Sequence, residues 1–444
     1  MTLVRRVTLL TGVALLLSML HLVPMGSASA AVPAVSTTSA PARSVSADPN
    51  ARRGWKPAWG AAFNNPVGSP AARNALMRRI KNAITHAKKG STIRIAEYSN
   101  DRVDFANALI KAHRRGVDVK VLLNDNWTSA ATTKLKRALG SKRKKRSWVY
   151  VCDRSCGGGP GNLHMKVFSF DRTGAARNVI MTGSTNTTNR AVNLQYNDLY
   201  TLADPGLFRT WTRVFAKLKN DKNRPRWIYY TGKNTSATFY RELSEVTGRS
   251  FRSPQSATTT TAARLPTKAE DPVMKRLNQV SCAAPRGTGN ARGRTKVRIT
   301  MYAWANKRGV WLAEKVAQLK RRGCDVAVIL SVPGGQVVKI LRESGVPMRS
   351  ADWAYIPNSA NPSGYTVDFY SHLKVLTIDG GFRGKGQQVV WTGSENWSMM
   401  SFRNDELILE LHGAGPYRRY DRQFSTMWSG RATHAMGVKP VGKP

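Results

Sequence analysis

Two short stretches decide the fold of this chain: LHMKV at residues 163–167 and SHLKV at residues 371–375, 208 positions later. Upstream of them, RRGVDV at 114–119 returns as RRGCDV at 321–326, an offset of 207. Similar segments that keep their order and spacing along a chain indicate an internal duplication. The sequence therefore predicts two homologous halves.

Each half has the same predicted order of helices and strands. Ser69 followed by a proline starts one helix, Gly116 ends another, and residues 117–123 form an apolar, β-branched segment typical of a buried strand. Strands that alternate with covering helices indicate an α/β fold with each sheet buried on both faces. The predicted elements are helices over 69–87, 103–115 and 307–322, and strands near 93–98, 117–123, 148–151, 164–170, 179–182, 199–202, 324–331, 372–378, 388–392 and 406–411.

The repeated stretch carries candidate catalytic groups. Side chains alternate across a strand, so His164 and Lys166 point to one face while their apolar neighbours point into the core. His372 and Lys374 repeat the arrangement. Each half therefore presents an imidazole beside an ammonium group.

An aspartate follows each lysine after four intervening residues and completes the candidate catalytic set. These are Asp171 and Asp379, which begin the segments DRTG (171–174) and DGG (379–381). Both segments have the composition of turns. We expect the two carboxylates to hold the turn and a salt bridge rather than to touch substrate.

A second motif ends an apolar strand in each half: GSTN at 183–186 and GSEN at 393–396. Glycine lets the backbone approach a ligand closely, and serine and asparagine supply neutral hydrogen-bonding groups for phosphate oxygens. The candidate phosphate-binding residues are Ser184, Asn186, Ser394 and Asn396.

The chain resembles the phospholipase D superfamily, whose pattern is His-x-Lys, four residues, Asp, and then Gly-Ser-x-Asn. The resemblance covers residues 55–432 through both halves. It implies two α/β/α sandwich halves that face each other across a pseudo-twofold axis and form one active site. It also implies that the lysines and asparagines hold the phosphoryl oxygens, and that no metal or cofactor is needed.

In such enzymes one histidine attacks phosphorus to form a phosphohistidine. The other protonates the departing alcohol and then activates the incoming water or alcohol. The first-half histidine is usually the nucleophile, so we carry that role to His164 and the acid role to His372. The two sequence frames are equivalent and do not rank them.

The family also places an acidic residue downstream of Gly-Ser-x-Asn to hold a histidine in one tautomer. The candidates are Asp198 in the first half and Glu406 in the second, with Asp405 as an alternative to Glu406.

Composition adds a class of partner. The chain has 444 residues, enough for two domains, and 70 Lys+Arg against 26 Asp+Glu give a formal net charge of +44. Such a surplus attracts anionic surfaces and polymers. Basic residues are densest over 134–146, just before the first motif, which fits a phosphate-backbone track as well as a solvated loop.

The sequence also predicts export and a linear division of the chain. Two arginines, an apolar run over 7–23 and the small residues ASA at 28–30 are typical of a cleaved signal peptide. The predicted segments are a signal peptide (1–30), a disordered leader (31–52), a first half (53–247), a linker (248–268) and a second half (269–444).

Four cysteines are expected to pair in an exported protein. Cys152 lies close enough to Cys156 to staple one loop, which leaves Cys282 for Cys324. A zinc site is the weaker alternative, because paired CxxC spacing is lacking.

The substrate class stays open between a phospholipid and a nucleic acid, with a non-catalytic polyanion binder as a third hypothesis. The resemblance to exported, single-chain, two-motif members favours head-group hydrolysis or exchange by a monomer. Aromatic residues that could meet a bilayer, or could equally be packing residues, are Trp353, Tyr355, Tyr365, Phe369 and Tyr370.

Overall fold

The computed structural model describes residues 54–125, 128–157, 160–221, 228–240, 265–359 and 364–444. These residues all belong to one compact unit, Pro49–Pro444. The predicted signal peptide (1–30) and leader (31–52) lie outside the described residues, as does most of the predicted linker.

The first half contains a mixed sheet with helices on both faces. Its elements are β1 Gly60–Phe63, α1 Pro70–Arg73, α2 Ala75–Thr85, β2 Thr92–Glu97, α3 Val103–Arg114, β3 Asp118–Asn124, α4 Ala130–Leu139, β4 Trp148–Cys152, β5 Val167–Thr173, β6 Ala176–Gly183, α5 Asn189–Asn193, β7 Gln195–Tyr196, β8 Asp198–Ala203, α6 Pro205–Leu218, β9 Ile228–Thr231 and β10 Thr235–Tyr240. Within the described residues the sheet has the strand order β1-β8-β6-β5-β2-β3-β4. Strands β2, β3 and β4 run parallel, and β5 joins β2 in antiparallel fashion.

The second half repeats this plan. Its elements are α7 Pro272–Asn278, β11 Val280–Ser281, β12 Lys296–Trp304, α8 Asn306–Arg321, β13 Asp325–Pro333, α9 Gly335–Glu343, β14 Met348–Ser350, β15 Trp353–Pro357, β16 Tyr365–Ser371, β17 Lys374–Phe382, β18 Lys385–Gly393, a 3-10 helix Met399–Phe402, β19 Glu406–His412, α10 Ala414–Ser429 and β20 His434–Ala435. The described strands of its sheet follow the order β20-β14-β13-β12-β17-β18-β19-β10-β9, with β11 beside β17. Strands β12, β13 and β14 are parallel and β17 joins β12 in antiparallel fashion, as in the first half.

Each sheet is buried on both faces, which confirms the predicted α/β fold with two repeated halves. One face of the first sheet packs against α2, α3 and α4, and the matching face of the second packs against α8 and α9. The inner faces share one core, in which Trp211 and Phe215 of α6 lie in the same apolar cluster as Leu373, Leu409 and Phe424. The halves therefore fold around a common centre.

The spatial boundary between the halves differs from the boundary in the sequence. Strand β10 lies before the linker, yet it pairs in antiparallel fashion with β19 of the second half. Strand β7 of the first half pairs in parallel with β16 of the second. Backbone hydrogen bonds therefore tie the halves together close to both His-x-Lys motifs.

Two predicted elements differ locally from the structure. The predicted helix over 69–87 is two helices, α1 and α2, divided at Asn74, whose side chain bonds back to the carbonyl oxygen of Pro70 at 3.0 Å. The predicted strand over 164–170 begins only at Val167. Gly116 follows α3 with a φ of +86°, a left-handed conformation that glycine adopts without strain.

Both predicted disulfides are confirmed, and the zinc hypothesis is wrong. Cys152 bonds to Cys156 at the end of β4, and Cys282 bonds to Cys324. Among the helices of the described residues, none combines the length and apolar character that crossing a membrane would require.

Candidate active site

The two repeated motifs meet at one cleft between the halves. His164 and His372 both line it, as do Asn186 and Asn396, and its volume is about 320 Å³. The other lining residues are Tyr98, Ser99, Asp101, Asn162, Thr188, Arg190, Gln195, Tyr302, Tyr370, Met400 and Asn404. Each half thus contributes equivalent groups to a single site.

Each histidine is anchored through its backbone to the opposite half. The N–H groups of His164 and Met165 donate to the carbonyl oxygen of Asp405 at 3.0 and 2.7 Å. The N–H of His372 donates to the carbonyl oxygen of Tyr196 at 2.9 Å. These bonds explain why the strand starts after the histidine: the segment before β5 is paired with the other half instead of its own sheet.

Glu406 orients His164. The Nδ1 atom of His164 lies 2.9 and 3.0 Å from the two carboxylate oxygens of Glu406. This carboxylate is fully buried and also accepts hydrogen bonds from Ser394 Oγ and, at 3.0 Å, from Asn404 Nδ2. A carboxylate on Nδ1 holds the proton there and leaves Nε2 as the reactive nitrogen.

Asp198 does not orient His372, contrary to the sequence prediction. The Nδ1 atom of His372 instead lies 3.0 Å from both Asn197 Oδ1 and the carbonyl oxygen of Ser184. Asp198 points away and accepts hydrogen bonds from Thr392 Oγ1 at 2.5 Å and from Tyr420 at 2.8 Å.

The reason is a difference of one position between the halves. The hydroxyl of Ser184 donates to Asn197 just as the hydroxyl of Ser394 donates to Glu406. Asn197 is therefore the counterpart of Glu406, and Asp198 is the counterpart of Leu407. A sequence pattern that requires an acidic residue at this position therefore does not identify Asn197.

The alternative Asp405 is also excluded as a histidine partner. Its carboxylate accepts hydrogen bonds from Ser155 Oγ and from the N–H of Gly157, both at 3.1 Å. These bonds attach the loop closed by the Cys152–Cys156 disulfide to the residue preceding Glu406. The disulfide loop therefore supports the segment that carries the carboxylate of the site.

Both motif lysines are buried, and each bonds to the backbone of the histidine in its own motif. Lys166 is fully buried and Lys374 is 4% exposed. The Nζ of Lys374 donates to the carbonyl oxygen of His372 at 2.6 Å, and the Nζ of Lys166 donates to that of His164. Burial lowers the pKa of Lys166 to about 8. Burial also holds the pKa of Lys374 well below its usual range, and the charge of Lys166 lowers it further. The two lysine charges oppose each other, so an anion bound in the cleft is favoured.

The surroundings of both imidazoles favour the neutral form. Burial lowers the pKa of His164 to about 4, with a further contribution from Lys166 and opposition from Glu406. Burial and the two lysine charges hold the pKa of His372 well below its usual value. Although burial alone would raise it, the pKa of Glu406 is lowered by His164 and Lys166, so this carboxylate stays ionised.

The two motif serines do not face the cleft, which corrects their prediction as phosphate ligands. Ser184 donates to Asn197 Oδ1 and accepts from the N–H of Asp198, both at 3.0 Å. Ser394 donates to Glu406 and accepts from the N–H of Leu407 at 3.1 Å. Their hydroxyls are used as donor and acceptor inside the protein, where they position the partner of each histidine.

The two asparagines do reach the cleft, whereas the two aspartates do not. Asn396 Oδ1 accepts from the N–H of Ala303 at 3.3 Å, which leaves its amide nitrogen for a ligand. Asp171 forms a 2.5 Å ion pair with Arg94, and Asp379 accepts from the N–H of Gly289 at 3.1 Å. These contacts contradict the prediction that Asp171 and Asp379 belong to the catalytic set, and they fit the expected role of holding the turn.

Sequence reasoning missed two tyrosines that flank the histidines. The rings of Tyr98 and His164 lie 5.5 Å apart, and those of Tyr302 and His372 lie 4.8 Å apart, both edge-on. Each tyrosine ring also lies under a motif lysine. The signal was present, because IRI followed by tyrosine at 93–98 returns as VRI followed by tyrosine at 297–302.

A buried carboxylate without a counterpart was also missed. Glu97 is fully buried, accepts hydrogen bonds from the N–H and hydroxyl of Thr187, and interacts electrostatically with Lys166. Burial raises the pKa of Glu97 to about 7. Its equivalent in the second half is Met301.

Among the described residues, no cluster of three or more His, Cys, Asp or Glu side chains is placed to hold a metal ion.

Comparisons with known proteins agree with this architecture. The structure of polyphosphate kinase from Porphyromonas gingivalis is similar with a TM-score of 0.50 at 11% identity, over 88% of this chain and 54% of that one, so this chain spans about half the length of the kinase. Phosphatidylserine synthase from Haemophilus influenzae Rd KW20 is similar with a TM-score of 0.50 at 14% identity, over 85% of this chain and 87% of that one. At such identities the likeness shows the fold alone.

A smaller protein matches one half. Nuc from Salmonella typhimurium, a phospholipase D family member, is 22% identical over 36% of this chain and 95% of its own, with a TM-score of 0.27. A search of curated proteins gave no match.

The family assignment rests on the sequence of both halves. The family model described as cardiolipin synthase, PLD-like domain, matches residues 80–219 and 289–428, which together exceed half of the chain. The matched ranges contain both His-x-Lys motifs, the paired asparagines and Glu406. The chain therefore belongs to the PLD-like (phospholipase D-like) domain family, whose members transfer or hydrolyse phosphodiesters.

Proposed function

We propose that this protein is a secreted phosphodiesterase that cleaves phospholipid head groups through a phosphohistidine intermediate. The observation that carries the proposal is the pair of imidazoles in one cleft, each with a buried lysine bonded to its backbone. Only one of the imidazoles, that of His164, is backed by a carboxylate. Such a cleft suits a substrate with a single, tightly held anionic phosphorus centre.

In the first step, Nε2 of His164 attacks phosphorus and the bond to the leaving oxygen breaks. His372 gives its Nε2 proton to that oxygen, so the alcohol leaves neutral. Phosphorylation makes the His164 ring cationic, and the Glu406 carboxylate on Nδ1 stabilises that charge. The amide of Asn197 on His372 offers no such charge, which supports His164 as the nucleophile.

In the second step, His372 removes a proton from water, and the water oxygen attacks phosphorus. The P–N bond breaks, its electron pair returns to His164, and the phosphate monoester is released. An alcohol in place of water gives transfer to a new phosphodiester. The amide nitrogen of Asn396 and the lysine ammonium groups hold the non-bridging oxygens in both steps.

His372 must carry a proton to act as the acid. Burial and the charges of Lys374 and Lys166 hold the pKa of His372 well below its usual value. A bound phosphodiester anion offsets both lysine charges, so its arrival raises the pKa of His372. We infer that substrate and proton bind together.

Several observations support a lipid substrate. The family model is described as cardiolipin synthase, a lipid-synthesising enzyme. Met400, which is 48% exposed, adds an apolar side chain to the cleft. Of the aromatic residues considered for bilayer contact, Phe369 and Tyr370 are buried, and Tyr370 lines the cleft. Export is supported by the two disulfides, which persist in oxidising compartments. A monomer suffices, because one chain supplies both motifs.

A nuclease remains the second candidate because of one specific surface. A groove of about 390 Å³ between α3 and α4 is lined by Lys111, Arg114, Lys134 and Arg137. Two cation pairs on adjacent helices suit a phosphate backbone. The groove shares no lining residue with the cleft.

The test is a side-by-side turnover assay of the chain from Ala31. One arm uses phosphatidylcholine and anionic phospholipid vesicles, with and without an added primary alcohol; the other uses single- and double-stranded DNA and RNA. Both include a chelator and His164→Ala. Head-group release that His164→Ala abolishes supports the proposal, and cleavage of nucleic acid alone overturns the lipid assignment.

A further inference from the structure

The two ends of the cleft differ in chemistry at positions that the repeat makes equivalent. Arg190 and Met400 each stand four residues after the motif asparagine. Gln195 and Asn404 each precede the residue whose carbonyl anchors a histidine. All of these side chains line the cleft. The His372 end therefore carries a cation where the His164 end carries a thioether.

Arg190 is exposed yet held in place. Its Nε donates to the hydroxyl of Tyr370 at 3.0 Å and its Nη2 donates to the carbonyl oxygen of Val367 at 3.2 Å. Gln195 Nε2 donates to the same hydroxyl at 2.5 Å. Among the described residues no carboxylate lies within 4.0 Å of Arg190, although Asp368 acts on it electrostatically from a greater distance. The Nη1 of Arg190 has no hydrogen-bond partner in the described part of the chain. A fixed guanidinium with a free N–H edge is suited to an incoming anion.

Tyr370 shows at which end of the cleft Arg190 lies. Tyr370 stands two residues before His372, and the two rings lie 6.3 Å apart. Tyr370 also stacks at 5.2 Å on Tyr302, whose ring contacts His372. Arg190 therefore lies at the His372 end of the cleft, which is the end from which the alcohol leaves in the proposed reaction.

The cleft also contains a carboxylate, which does not neutralise Arg190 by an ion pair. Asp101 Oδ1 accepts the N–H of Asn189 at 2.8 Å. Resting on the proposed role of His372 as the acid, we propose that Arg190, held by Tyr370, is a specificity residue that binds an anionic group on the leaving alcohol. That group is a carboxylate, as on a serine head group, or a phosphate, as on a nucleotide.

The experiment compares substrates that differ by one anionic group on the leaving alcohol. The lipid pair is dihexanoyl-phosphatidylserine and dihexanoyl-phosphatidylethanolamine, used as monomers so that no charged surface forms. The nucleotide pair is thymidylyl-thymidine with and without a phosphate on the leaving nucleoside. The preference, given by the ratio of kcat/KM within a pair, is measured for the wild type, Arg190→Met, Arg190→Lys and Arg286→Met. Arg286 is exposed, lies outside the cleft and controls for the loss of one positive charge.

We expect the wild type and Arg286→Met to favour the anionic leaving group in one pair, and that pair identifies its source. Arg190→Met should reduce the preference roughly 10- to 100-fold, the value of a hydrogen bond between charged groups, and Arg190→Lys should retain part of it. A wild type that turns over both members equally, or an Arg190→Met variant with an unchanged preference, overturns this inference alone. Failure of the wild type to cleave either pair or bis(4-nitrophenyl) phosphate would instead overturn the proposed function.

Discussion

Glu406→Gln tests whether the carboxylate behind His164 makes that residue the nucleophile. The substitution keeps the size of the side chain and removes its charge. Glu406 is fully buried, and its oxygens lie 2.9 and 3.0 Å from His164 Nδ1, so solvent does not screen the interaction. The loss falls on the step in which the ring becomes cationic.

The size of the effect follows from the electrostatics of the contact. Two opposite unit charges about 4 Å apart interact by about 4 kcal/mol at an effective dielectric constant of about 20. The amide keeps part of the hydrogen bond, so we take about 3 kcal/mol as the lost stabilisation. At about 1.4 kcal/mol per factor of ten, formation of the phosphohistidine should slow roughly 100-fold.

The assay is a rapid quench under single-turnover conditions, followed by mass spectrometry of the phosphorylated peptide in alkali. Asn197→Asp is the matched variant, because it adds a carboxylate behind His372. It should raise the pKa of that acid and change the rate by less than about tenfold. An adduct on His372, or a Glu406→Gln rate within a factor of ten of the wild type in a folded protein, would refute the reasoning.

Three further variants separate chemistry from support. Asp171→Asn should leave kcat/KM within a factor of two of the wild-type value, because Asp171 does not line the cleft. It should lower stability by about 1 kcal/mol in thermal melts, since it breaks a half-buried ion pair with Arg94. A large loss of turnover would instead indicate a catalytic role for Asp171. Ser394→Ala removes a donor to the buried Glu406 carboxylate, so kcat should fall roughly tenfold, and an unchanged kcat would show that this bond does not position the site. Replacing both Cys152 and Cys156 by serine should cost about 2 kcal/mol in denaturant melts and should lower kcat as well, because their loop supports Asp405; loss of stability with full activity below the melting range would argue against that coupling.

The sequence predicted the parts of the site that the duplication repeats. The histidines, lysines and asparagines sit in matching frames, so two copies of each local pattern were enough to bring them forward. Strand starts were less accurate, because the N–H groups of His164 and Met165 donate to the carbonyl oxygen of Asp405 rather than to their own sheet. A backbone hydrogen bond to the other half does not change the local alternation of polar and apolar side chains, so the sequence pattern does not reveal it.

The roles of individual polar groups could not be predicted for a related reason. Ser184 and Ser394 have the chemistry of phosphate ligands, but their hydroxyls are used by partners 13 and 12 residues away. Whether a hydroxyl faces a ligand or a neighbour depends on tertiary geometry. Asn197 escaped notice because an acid was sought where an amide does the positioning, one residue before a carboxylate.

The proposed direction of the reaction rests on the departures from symmetry. Two identical halves would give each histidine the same partner, and either could then be phosphorylated. Here the histidines, lysines and asparagines of the two halves match across the pseudo-twofold axis. Two equivalent positions differ: Glu406 corresponds to Asn197, and Met400 corresponds to Arg190. The carboxylate lowers the energy of a cation on one ring, and the guanidinium at the other end favours departure of an anionic alcohol there. Both differences bias the same step in the same direction, so exchanging only one of them should weaken the preference without reversing it.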